Sequence, residues 1–60
     1  MKKILSDYFT YKLGTAVEIF DYSNYDATYI YCRAQANGGV IFSETTTYKD
    51  ILIWLANKDF

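Results

Sequence analysis

The chain has no histidine and no proline, one cysteine, one tryptophan and three glycines in 60 residues. Without imidazole, neither a Ser–His nor a Cys–His nucleophile can be assembled, and Cys32 has no base to activate it. A single cysteine excludes an internal disulfide and a multi-cysteine zinc site, fits a reducing, intracellular setting, and reads as a small core hydrophobe. Charge is scarce as well. Six basic residues against seven acidic ones leave a net charge of −1. Lys2, Lys3 and Lys12 outweigh Asp7 at the N-terminus, while Glu18, Asp21, Asp26 and Glu44 outweigh Arg33 across the middle. Nucleic-acid binding needs clustered Lys and Arg, so it is disfavoured, and the chain is not acidic enough to mimic DNA. The longest apolar run is Ile51 to Ala56, far short of the roughly 18 residues that span a bilayer. After Met1-Lys2-Lys3 the apolar stretch stops at Ile4-Leu5, too short for a signal peptide, so a cytoplasmic protein without a membrane partner is expected.

What the chain does have is bulk. It is 52% apolar and 20% aromatic, with seven Tyr and four Phe. That composition folds, and 60 residues make a single domain, 1–60. A domain this small buries only about 60% of its unfolded surface, so a partner or a second copy would supply what the core lacks.

The clearest element is C-terminal. Thr47 followed by Asp50 resembles a capping box with Asp in the acidic position. Tyr48, Ile51, Leu52 and Leu55 then follow the i, i+3, i+4, i+7 spacing of a core stripe, with Ile53 pointing away and Trp54 on the shoulder. Before it, Asn37-Gly38 is the preferred dipeptide of a type I′ turn and separates 27–36 from 39–46. That turn pairs Arg33 with Phe42, Tyr31 with Glu44 and Ala34 with Ile41; a Gly38-Gly39 loop is the competing register. Residues 16–22 read as a third strand, joined through Ser23-Asn24-Tyr25-Asp26, which pairs Phe20 with Tyr29 and Ile19 with Ile30. Thr15 and Glu18 form a capping box that would instead open a short helix at Ala16. Residues 3–13 favour a helix, with Ile4, Leu5, Tyr8, Phe9 and Leu13 as its stripe and Gly14 as C-cap, over a strand built on Phe9, Tyr11 and Leu13.

The expected fold is therefore α+β: a three-stranded antiparallel β-meander packed on one face by an N-terminal and a C-terminal helix. With those registers, Val17, Ile19, Ile30, Cys32, Ala34 and Ile41 share the face beneath the helices. Glu18, Phe20, Tyr22, Tyr29, Tyr31, Arg33, Phe42 and Glu44 share the open one. Aromatic rings on a half-exposed sheet contribute about 0.2–1 kcal/mol per cross-strand pair and need no partner to explain them. Yet Tyr, Trp and Arg are the residues that dominate interface hot spots. The expected partner-binding residues are Phe20, Tyr22, Tyr29, Tyr31, Arg33, Phe42, Glu44, Ile53 and Trp54.

No chemistry competes with that reading. Glu18 and Glu44 lack a pocket to desolvate them, and Asp21, Asn24 and Asp26 do not match a calcium-loop spacing. Gly38-Gly39 has no phosphate-loop framing. No catalytic residue, cofactor or metal is expected. The order helix, strand, strand, Asn-Gly turn, strand, helix, with Ile4-Leu5-Ser6-Asp7-Tyr8 leading into Val17-Glu18-Ile19-Phe20-Asp21-Tyr22, resembles small phage-encoded α/β-meander proteins, including some type II anti-CRISPR proteins. The resemblance implies an inhibitor of a host nucleic-acid-processing or defence enzyme, acting in the host cytoplasm, and carries over no residue by position. The expected function is a non-catalytic module that inhibits or modulates a larger intracellular protein. The alternatives are a single-stranded nucleic-acid binder using the sheet tyrosines and a homo-oligomer, in the simplest case a homodimer.

Overall fold

A computed structural model describes residues 1–24 and 26–58. Their order is α1 (Lys2–Leu13), β1 (Val17–Asn24), β2 (Tyr29–Ala36), β3 (Val40–Thr47) and α2 (Tyr48–Asn57). The strands form one antiparallel sheet in the order β1-β2-β3, with a helix at each end of the chain, an α+β fold. It is a thin slab of 29 × 29 × 14 Å, the thickness of one helical layer on one sheet.

Helix α1 forms where the stripe of Leu5, Tyr8 and Phe9 can be buried. Gly14 ends it in the left-handed region at φ 72°, its N–H donating to the Thr10 carbonyl. Leu13, expected in the stripe, is exposed because, as the last residue of the helix, it lies on the flank of the face that Leu5, Tyr8 and Phe9 bury. The strand at Val17 wins over the competing short helix because α1 uses its own side chains to fix the strand start. Ser6 Oγ donates to the Val17 carbonyl, and the Val17 N–H donates to Thr10 Oγ1 at 3.1 Å.

Helix α2 starts at the expected cap: Thr47 Oγ1 accepts from the Asp50 N–H at 3.1 Å. Its stripe is rotated from the expected one. Ile51 is buried and Tyr48, Trp54 and Leu55 pack partly against the core, whereas Leu52 is 63% exposed. The cause is α1: Trp54 turns towards it, its ring meeting Tyr8 edge-on at 5.6 Å and 72°. That contact sets the face that α2 presents. The core then comprises Leu5, Tyr8, Phe9, Val17, Ile19, Ile30, Cys32, Ala34 and Ile51.

Two registers differ from expectation. In the β2–β3 hairpin Ala36 pairs with Val40, Ala34 with Phe42, Cys32 with Glu44 and Tyr31 with Thr45. The loop is three residues long because Asn37 does not adopt the positive φ that a type I′ turn demands; Gly38 (φ 95°) and Gly39 (φ 86°) take it instead. In β1–β2, Ile19 pairs with Ala34 and Tyr22 with Cys32. The connection lies later than expected, because Asp26 Oδ1 accepts from the Thr28 and Tyr29 N–H groups and builds the turn there. Tyr25, part of the expected turn, lies outside the described residues. Between Ile19 and Asp21 the ladder is interrupted by a bulge, with Phe20 as the residue that has no partner in β2.

Candidate functional site

Cross-strand partners share a face and neighbours along a strand alternate, so the observed pairs sort the side chains. Val17, Ile19, Ile30, Cys32 and Ala34 face the helices, as expected. Phe42, opposite Ala34, joins them and packs partly against the core, and Ile41 takes its place outside, 64% exposed. Glu44, opposite Cys32, and Tyr22, opposite Cys32 on its other side, also belong to the helix-bearing face. Phe42, Glu44 and Tyr22 are therefore corrected from the open face to the inner one. The hairpin loop is one residue longer than expected, which inverts β3; the bulge at Phe20 inverts the second half of β1.

The open face that results carries Glu18 and Asp21 from β1, Tyr29, Tyr31 and Arg33 from β2, and Ile41, Ser43 and Thr45 from β3. Tyr29 is 42% exposed and Tyr31 half-buried, so the two rings run along the central strand beside Arg33. Arg33 Nη1 lies 3.9 Å from Asp21 Oδ2, its partner in the ladder, and both side chains are more than half exposed. The pair is a solvated one that orients the guanidinium more than it stabilises the fold. Phe20 is exposed at the bulge. Sequence reasoning missed Ile41, because its inversion depends on how many residues the Asn-Gly-Gly loop spans.

Of the remaining expected contact residues, Ile53 is half exposed on α2, and Trp54 lies in the seam between the helices. There the Trp54 ring lies 6.1 Å from that of Tyr11, with Lys58 Nζ 4.8 Å above it. Asp7, Thr10, Tyr11, Trp54, Asn57 and Lys58 line an open cleft of about 530 Å³. Tyr11 is largely exposed at its edge. The α1 side of this cleft was not anticipated, since Tyr11 lies off the apolar stripe that drew attention to that helix.

Burial pushes the Cys32 thiol up to about 11, and the carboxylates of Asp21 and Glu44 add to that shift, so it is neutral at ordinary pH. Among the described residues no group of three His, Cys, Asp or Glu is gathered to hold a metal ion. No helix of the described chain is long and apolar enough to cross a membrane. Comparison with family models, with curated proteins and with solved structures finds no match.

Proposed function

We propose that this protein is a non-catalytic binding module that docks on a larger protein through the open face of its sheet and inhibits or modulates it, as the resemblance to small phage inhibitors implies. The observation that carries the reading is the uncovered row Tyr29, Tyr31 and Arg33 on the central strand, flanked by exposed Ile41. A rigid sheet holds these rings in place, so little conformational freedom is lost when a partner covers them. Large amphipathic rings beside an arginine are the composition of interface centres.

The same tyrosines could stack on single-stranded bases, but that mode needs cationic surroundings. On this face Arg33 is tied to Asp21, and Glu18 adds a further negative charge. Protein is the better-matched partner.

The test is a pulldown from cells that normally contain the protein, comparing the wild type with Tyr31→Ala and Trp54→Ala. Tyr31→Ala should stay folded and lose partner affinity by about thirtyfold, the loss typical of a hot-spot residue worth 2 kcal/mol. If it stays folded and retains every partner, the open face is the wrong surface. Retention by Tyr31→Ala with loss by Trp54→Ala would move the site to the helix seam. Salt-sensitive binding of single-stranded oligonucleotides would favour the nucleic-acid reading instead.

A further inference from the structure

The two edges of the sheet are treated differently. At β1 the outward-pointing backbone of Val17 is already used, its carbonyl by Ser6 Oγ and its N–H by Thr10 Oγ1, and the Phe20 bulge interrupts the strand three residues further on. These are the devices that make an edge unfit for pairing. Strand β3 has none of them. All eight residues from Val40 to Thr47 pair with β2 without a break. The strand contains no proline or lysine, its only charge is Glu44, and Ile41, Thr45, Thr46 and Thr47 are β-branched.

The outward groups of β3 can be identified. The Asn37 N–H donates to the Ala16 carbonyl at 2.8 Å, so Asn37 turns its backbone to β1 and Ala36 turns its own to β3. The alternation then directs the backbone groups of Val40, Phe42, Glu44 and Thr46 into the sheet. Those of Ile41, Ser43 and Thr45 point away from it, and among the described residues nothing is hydrogen-bonded to them.

We propose that the β3 edge is a strand-pairing site and that its occupant is a second copy of this chain, joined antiparallel about a two-fold axis through Ser43. This pairing sets Ser43 against Ser43 of the second copy and Ile41 against its Thr45, so every outward N–H and C=O of the three residues finds a partner. A shift of two residues one way would bring Glu44 against Glu44 of the second copy, a like-charge pair that opposes association. The same shift the other way forfeits one of the three hydrogen-bonded pairs. In the proposed register Glu44 faces Phe42 instead. The edge is thus self-complementary in both hydrogen bonding and charge, which is why a second copy is its occupant. The product is a six-stranded sheet whose open faces run together. This inference is independent of what binds that face.

Sedimentation from micromolar to millimolar concentration tests it, together with amide hydrogen exchange. The expected result is a species of twice the 7.0 kDa mass. The amides of Ile41, Ser43 and Thr45 should exchange at least about tenfold more slowly at the high concentration, while those of Phe42, Glu44 and Thr46 are protected at both. Ser43→Pro removes an outward N–H that the monomer does not use and should remain monomeric with its circular dichroism unchanged. Should that variant fail to fold, the wild-type exchange pattern decides alone. A monomer throughout the range overturns the proposal. So does a dimer whose 41, 43 and 45 amides still exchange freely, or one that folded Ser43→Pro still forms.

Discussion

Cys32 sits fully buried on the central strand, opposite Glu44 on one side and Tyr22 on the other. Its thiol is raised from 9.0 to about 11, first by burial and then by the negative charges of Asp21 and Glu44. An unfolded chain releases this proton at lower pH than the folded one. The stabilisation is therefore complete below pH 9 and is lost as pH rises from 9 towards 11, by on the order of 2 kcal/mol. Denaturant melts across that window should show a loss of stability that Cys32→Ala lacks, every other group being common to both chains. Thr46 gives a second residue-level expectation. Its hydroxyl is buried opposite Ile30 with no hydrogen-bond partner among the described residues. Replacing it with the isosteric valine removes an unsatisfied polar atom, so Thr46→Val should raise the unfolding free energy by about 1 kcal/mol in a urea titration.

Among the elements, the β2–β3 loop is the most sensitive to a single glycine. Gly38 holds φ 95° in open space, with nothing near an added Cβ, so Gly38→Ala would suffer from backbone strain alone. The expected cost is about 1–2 kcal/mol, read from thermal or urea melts, with the fold retained. The same loop shows where sequence reasoning stops. Both helices are legible, because Leu5, Tyr8 and Phe9 and then Tyr48, Ile51 and Leu55 repeat at helical spacing, and Gly14 and Thr47 mark a stop and a start. Inward Val17, Ile19, Ile30, Cys32 and Ala34 are legible too, because shifting Ile19 from Ile30 to Ala34 moves it an even number of residues along β2. Parity survives an even error and fails an odd one. Whether Asn37 or the glycines take positive φ is a one-residue difference, and it exchanges Phe42 for Ile41. Of the seven sheet residues expected at the contact surface, Tyr29, Tyr31 and Arg33 keep their face because they lie on β2, whose phase needs no loop to set it. The partnership of Trp54 with Tyr8 and Tyr11 joins residues more than forty positions apart, and neither helix pattern contains it.

At the scale of the whole molecule, a slab only 14 Å thick has one sheet face without a helical layer, so a partner docking there as proposed would meet a preformed surface. The bulge at Phe20 has a consequence beyond its own strand. The ladder runs Ile19 with Ala34, then Asp21 with Arg33, so it pairs as though Phe20 were not in the chain. Deleting that one residue should therefore leave every pair intact and the far-ultraviolet spectrum unchanged. It would also straighten β1 into a second usable margin beyond Val17, whose own N–H and carbonyl stay bonded to Thr10 and Ser6. Chains with two such margins add end to end without limit, so the shortened protein should polymerise into fibrils detectable by turbidity and electron microscopy, where the natural chain stays finite. One apparently superfluous phenylalanine would then be what keeps the assembly from growing.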